Sequence, residues 1–232
     1  MTEVVLDQIP FAVDAARLAR QARVERDSSF DADLARLAAE ASEGARPKVL
    51  YRLAYPEPTG ENTVAIDGVE LKSRVLRVNL QEAHRVFLYV ASCGTELEDW
   101  ARAKDDPLEQ YCAEAAKELA LGAAAQAFNQ DLTERFESGP TAVMSPGSLA
   151  DWPLPQQRPL FALLGDVRGK IGVELSPSCL MIPNKSISGL RFPTEARYEN
   201  CMLCPRPDCP NRRARYDAGL YDRKYGATAA VS

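Results

Sequence analysis

The sequence predicts an α+β fold: a twisted mixed or antiparallel sheet flanked by helices. Three observations carry this expectation. Strand-like and helix-like stretches alternate irregularly, without the regular β-α-β rhythm of a parallel sheet. RVFLYVAS (85–92) is a continuous apolar run rich in β-branched and aromatic residues, the mark of a central strand buried on both faces. Pro107 opens an Ala-, Leu- and Glu-rich stretch that predicts a long helix over 107–137.

The other elements follow in chain order. Residues 11–44 are dominated by Ala, Leu and Arg and read as helical, with Ser29 or Asp31 as a cap and Gly44 and Pro47 as the stop. VLYRLAY (49–55) reads as a strand, and TVAIDGVEL (63–71) as two short strands about an Asp67-Gly68 turn. SRVLRVNL (73–80) reads as a further strand, or a strand entering a short helix. In CGTELEDWARA (93–103), Gly94 permits a tight turn, and Thr95 with Glu98 makes a capping-box pattern. Residues 138–159 are loop-forming around a short strand at TAVM, and LPQQRPLFALLG supplies one short helix. KIGVELSPS (170–178) and KSISGLRF (185–192) read as strands. The layout divides into an N-terminal helical segment, 1–47, an α+β domain, 48–195, and a cysteine-rich loop with a polar tail, 196–232.

At 232 residues and 46% hydrophobic content, the chain can bury a core without disulfides or metals to hold it. A net charge of -5 argues against a nucleic-acid partner, which calls for a basic footprint. The first residues lack a basic-then-apolar leader, and no apolar run reaches the roughly 18 residues that span a bilayer. A cytosolic protein with no membrane partner is expected, and in a reducing cytosol clustered cysteines favour metal or redox chemistry over disulfides.

Half of the six cysteines fall in CMLCPRPDCPNRR (201–213). Cys201, Cys204 and Cys209 are spaced so that one loop can wrap a soft metal, and thiolates select zinc, copper(I) or iron–sulfur clusters. Pro205, Pro207 and Pro210 stiffen the loop, and Arg206, Arg212 and Arg213 offset thiolate charge. A tetrahedral zinc or a [4Fe–4S] cluster needs four ligands, and Cys179 or Cys93, both at strand ends, could supply the last. Cys112 lies inside the long helix and reads as core filling. Iron–sulfur, structural zinc and a metal-free loop all remain open on ligand chemistry. His84 reads as a surface residue, and Trp100 and Trp152 as partial core or as stacking platforms. Asp151 and Glu174 could bind a ribose or face solvent.

Three stretches together carry a resemblance. Residues 85–127, SPGSLADWPLPQQRPLFALLG (145–165) and IGVELSPSCLMIPNKSISGL (171–190) have the layout and order of the activation (reactivation) domain of cobalamin-dependent methionine synthase, in a short stand-alone form. The resemblance covers most of 48–192 and implies a C-shaped α+β unit. It implies a domain that binds S-adenosylmethionine in a shallow groove and docks over a cobalamin domain. There an electron from flavodoxin and a methyl group from adenosylmethionine restore methylcobalamin after oxidation to the cobalt(II) state. By that likeness Gly147, Ser148, Trp152, Lys185 and Ser186 are the candidate groove residues.

The chain departs from the family's Arg-x-x-x-Gly-Tyr motif for adenosylmethionine. Gly147 keeps the Gly, Ser148 replaces the Tyr, and Val143 stands where the Arg belongs. That Arg would grip the ligand carboxylate through a two-toothed fork, which neither Thr141 nor Met144 can provide, so the motif argues against adenosylmethionine binding. The chain also has no room for the barrels and corrinoid domain of a complete synthase. The expectation is an accessory protein that acts only with a corrinoid methyltransferase, such as a short methionine synthase, and supports reductive reactivation of its cobalamin. Cys201, Cys204 and Cys209, with Cys179, would hold an iron–sulfur cluster that relays the electron. The alternative is a non-redox docking module with a structural zinc knot.

Overall fold

The computed structural model describes residues 2–25, 30–137, 139–195 and 198–226. With strands numbered in chain order, the central sheet is fully antiparallel. Its order is β1 (Glu3–Leu6), β2 (Lys48–Ala54), β6 (Val86–Ser92), β10 (Ser186–Pro193), β7 (Thr141–Met144). As expected, 85–92 supplies the middle strand, and every residue of β6 is buried. A small sheet of β3 (Pro56–Pro58), β4 (Thr63–Ile66) and β5 (Val69–Lys72) and a hairpin of β8 (Glu174–Leu175) and β9 (Met181–Ile182) complete the strands. The β4–β5 turn is the expected Asp67-Gly68, both residues at positive φ.

One sheet face is covered by the long helix predicted from Pro107, α5 (Pro107–Phe136), whose first turn is capped by the Asp106 carboxylate. Ala124, Phe128 and Leu132 of α5 pack on Val49, Tyr51, Phe87 and Tyr89 of β2 and β6. Outside α5 lie α1 (Ala15–Ala22), α2 (Asp31–Gly44) and α4 (Thr95–Arg102). The other face is covered by α3 (Arg74–Asn79), α6 (Gln157–Leu164), α7 (Val167–Ile171) and the C-terminal segment. No described helix is long and apolar enough to cross a membrane.

Four local expectations need correcting. The stretch 11–44 is two helices, because α1 ends on Arg23 in the left-handed region. The cap position of α2 is Phe30, which has no side-chain oxygen to offer, Asp31 is the first helical residue, and Ser29 lies outside the described residues. The chain before α1 also supplies β1, a strand of four residues too short to announce itself. SRVLRVNL is α3 rather than a strand: Ser73 accepts from the Leu76 N–H at 2.9 Å, and Asp151 accepts from Ser73 Oγ and from the Val75 N–H at 3.0 Å. The capping box at Thr95 does not form. Gly94 itself is the cap, at φ +93, because a Cβ there would stand 2.2 Å from the Arg46 carbonyl oxygen. In 170–178, Lys170 and Ile171 finish α7, Gly172 ends it in the left-handed region, and only Glu174–Leu175 is strand.

Glu98, released from capping, joins a buried ion network. Lys117, 1% exposed, lies 2.6 Å from Glu98 and 2.6 Å from Glu114, and Arg102 meets Glu98 at 2.9 Å. Burial works against the ammonium, but the two carboxylates outweigh it and hold the Lys117 pKa above the ordinary lysine value. The expected outcome of Lys117→Met is a loss of about 3 kcal/mol in a urea titration, because Glu98 is left buried opposite one exposed arginine.

A second carboxylate ties the outer helices. Glu40 of α2 accepts from Lys104 Nζ at 2.6 Å and from Trp100 Nε1 at 2.9 Å. These two donors bring its pKa from 4.5 down to about 2. The contribution is present above the ordinary value and is lost as pH falls from 4.5 towards about 2. The urea-midpoint difference between wild type and Glu40→Gln is therefore expected to shrink over that pH interval.

Candidate functional site

The segment after β7 turns back sharply. Gly147 has φ +85, its N–H donates to the Trp152 carbonyl at 2.7 Å, and the Trp152 N–H donates to the Leu149 carbonyl at 3.1 Å. Gly147 and Ser148 are exposed at the tip. Trp152 is not: it is fully buried, in the same core cluster as Leu149, Leu160 and Tyr198, so the groove reading fails for this residue. Tryptophan at that position fills the layer between the sheet and α6.

Lys185 and Ser186 are also placed. Ser186 Oγ donates to Ser92 Oγ at 2.9 Å and lies 2.8 Å from the Pro183 carbonyl, which ties β10 to β6. Lys185 is half-buried, 3.8 Å from Glu114, beside Asn184, which donates to the same carboxylate at 3.2 Å. Both residues work in the scaffold of the 183–186 corner. Asp151 caps α3, Glu174 pairs with Arg168 at 3.2 Å, and Trp100 is engaged by Glu40 and Lys104. His84 is exposed, as expected.

The cysteine loop is held by one side chain. Arg212 donates to the carbonyls of Cys201 at 3.0 Å, Cys204 at 3.3 Å and Ala214 at 3.3 Å, and to that of Arg206. Cys201, Cys204 and Cys209 are half-buried, and Cys201 Sγ accepts from the Arg213 N–H at 3.5 Å. That donor is the chief reason the Cys201 thiol pKa lies below its ordinary value. Cys179 is buried in the β8–β9 turn at φ +65, and Cys112 is core, as expected. Cys93 is wholly buried, and burial pushes its thiol up to about 12, which disfavours it as a thiolate ligand. Among the described residues, no three His, Cys, Asp or Glu side chains come together in a group that could hold a metal ion. The four cysteines Cys179, Cys201, Cys204 and Cys209 are therefore not assembled as a ligand set.

The motif residues do not mark the open surface of the sheet. Beyond α5, the face that carries Tyr89 and Phe128 continues onto β10 and β7 through exposed Ile187, buried Gly189, and half-exposed Arg191 and Val143. A Cβ on Gly189 would stand 2.4 Å from the Met144 carbonyl oxygen and 2.8 Å from Ser145 Oγ, so only glycine lets the chain after β7 close over the strand. The closure brings Ser145 beside the buried Tyr89 hydroxyl. Arg191 and Tyr89 escaped sequence reading because each looks like an ordinary strand residue; Gly189 in KSISGLRF was the one local signal of a close approach.

No protein-family model matches the chain, and no curated protein matches its sequence. The fold has a solved counterpart in the MetH reactivation domain bound to AdoHcy. The two are similar with a TM-score of 0.62 and 14% sequence identity, over 86% of this chain and 81% of that one. At that identity the similarity is one of fold: mixed α+β, with an antiparallel sheet flanked by helices, as the sequence predicts.

Thiol titration with Ellman's reagent is expected to resolve two classes in the folded chain. Cys201, Cys204 and Cys209 react first, and Cys93, Cys112 and Cys179 react only in denaturant. Arg212→Ala is expected to speed the first class, because the loop loses the donors that hold its carbonyls.

Proposed function

We propose that this chain is a reactivation module for a cobalamin-dependent methyltransferase of the methionine synthase kind. It would dock on a partner that carries the corrinoid and hold an adenosyl amino acid, S-adenosylmethionine before methyl transfer and S-adenosylhomocysteine after it, on the open stretch of the sheet. The observation that carries this reading is the extent of the fold likeness, most of both chains, to a domain solved with AdoHcy. The ordered resemblance of 85–127, 145–165 and 171–190 supports it independently. The chain's own part would be positioning: the exposed tip at Gly147 and Ser148 borders the ligand, and the sheet face orients it towards the partner.

An electron relay through the cysteine loop, or a zinc knot in its place, lacks an assembled ligand set among the described residues. The reductant is taken to be a separate protein. Metal analysis of anaerobically purified protein tests this directly: stoichiometric iron or zinc would return the loop to the mechanism.

The function is tested with a methionine synthase that lacks its own reactivation domain, inactivated as the cobalt(II) form. Turnover is expected to return when this chain, S-adenosylmethionine and a one-electron reductant are added together, and not when any one is omitted. Unchanged inactivity at saturating chain, together with no calorimetric signal for S-adenosylhomocysteine, would overturn the proposal.

A further inference from the structure

The open stretch of the sheet holds a guanidinium in need of a partner. Arg191 is a β10 residue paired across the sheet with Val143 of β7 and with Phe87 of β6. Its guanidinium lies over the Phe128 ring at 5.6 Å, and its Nε is buried with no hydrogen-bond partner. Arg213, from the cysteine loop, stands near enough for its charge to act on both Arg191 and Tyr89. Glu199, just before that loop, is engaged by Arg213 at 3.2 Å. Burial disfavours the charged form of Arg191, and the second guanidinium adds repulsion.

A desolvated guanidinium with an orphaned N–H is unfavourable until an anion arrives. A carboxylate suits the fork best, since two oxygens can meet two N–H groups at once. The position also answers the gap in the sequence. Paired residues of antiparallel strands point to the same face with Cβ atoms about 4.5–5.5 Å apart. An arginine at Arg191 can therefore reach the space that one at Val143 would fill.

We propose that Arg191 is the carboxylate fork of the groove, and that it takes the amino-acid carboxylate of the adenosyl ligand from β10 instead of β7. This rests on the proposed function for the nucleoside but not for the carboxylate, and the two can fail separately.

The test follows the Arg191 Nε–H signal by nitrogen-15 NMR of the full chain, assigned by its loss in Arg191→Lys. Three probes are titrated: S-adenosylhomocysteine, 5′-methylthioadenosine, which lacks the amino-acid carboxylate, and methionine, which lacks the nucleoside. The expected result is that S-adenosylhomocysteine and methionine both move the signal. In calorimetry, Arg191→Gln is expected to weaken S-adenosylhomocysteine by at least about tenfold and leave 5′-methylthioadenosine unchanged. Arg191→Lys keeps the charge but not the fork and should fall between. If methionine alone moves the signal, the fork stands and the nucleoside reading falls. If both nucleosides bind wild type and Arg191→Gln equally, with the Nε signal unmoved, the fork falls and the nucleoside reading stands. If no probe moves the signal, the inference is overturned without need of a variant.

Discussion

Everything on the open side of the molecule depends on β10 lying between β6 and β7. It is the last strand among the described residues, yet it pairs with a strand on each side, so its backbone groups are shared across the sheet. That insertion is possible because of Gly189. No side chain fits where the Met144 carbonyl comes within 2.4 Å of the place a Cβ would take. Once seated, the strand has its register held by Ser186 on Ser92 at one end and by the pairing of Pro193 with Thr141 at the other. A shift by one residue would exchange its two faces, sending Leu190 and Phe192 to the outside and Arg191 into the core beside Trp152. The hydrophobic cost of that exchange fixes Arg191 on the α5 side.

The buried ion network serves the same strand from its other end. Lys117 joins α4 to α5 through Glu98, and Glu114 reaches on to Asn184 and Lys185, the residues just before β10. A buried pair of this kind is weak evidence of net stability, since its desolvation offsets most of the attraction. Its effect is geometric: a desolvated charge tolerates few arrangements, so the corner at 183–186 is held in one. The K-S-x-S stretch thus works in the frame of β10 through Ser92, Pro183 and Glu114, where a motif reading places it near a ligand.

The sequence showed the elements whose signal is local. β6 is apolar throughout, α5 is long and opens on Asp-Pro, and the β4–β5 turn is Asp-Gly, so each could be read in place. The elements that were misread take their decisive contact from far away. α3 looks like a strand until Asp151, 76 residues on, accepts from the Val75 N–H. α7 and β8 share one apolar stretch that Gly172 divides. β1 exists because β2 offers it an edge. The same division runs through the site. Gly147 and Ser148 are exposed at a turn, while Trp152 is buried, because aromatic character alone does not separate a stacking platform from a core plug. For the cysteines, spacing along the chain implied a ligand set, but the loop backbone is organised by Arg212.

The C-terminal segment explains why the two faces of β10 differ. On one side it seals the core: Tyr225 is buried, its hydroxyl donates to Asn79 at 2.9 Å, and Arg74 donates to its carbonyl at 3.1 Å. Tyr198 and Trp152 fill the same layer, which leaves no room there for a ligand. On its way to that seal the chain forms the cysteine loop, where Arg213 pairs with Glu199 at 3.2 Å. The proposed fork is invisible to a linear motif because its surroundings come from three separate segments, β7, β10 and α5. Antiparallel pairing makes the exchange of an arginine between neighbouring strands inexpensive, since the two positions share a face and nearly the same space. The residue opposite Val143 in this sheet is Arg191, which is why the proposed fork can lie on β10 instead of β7.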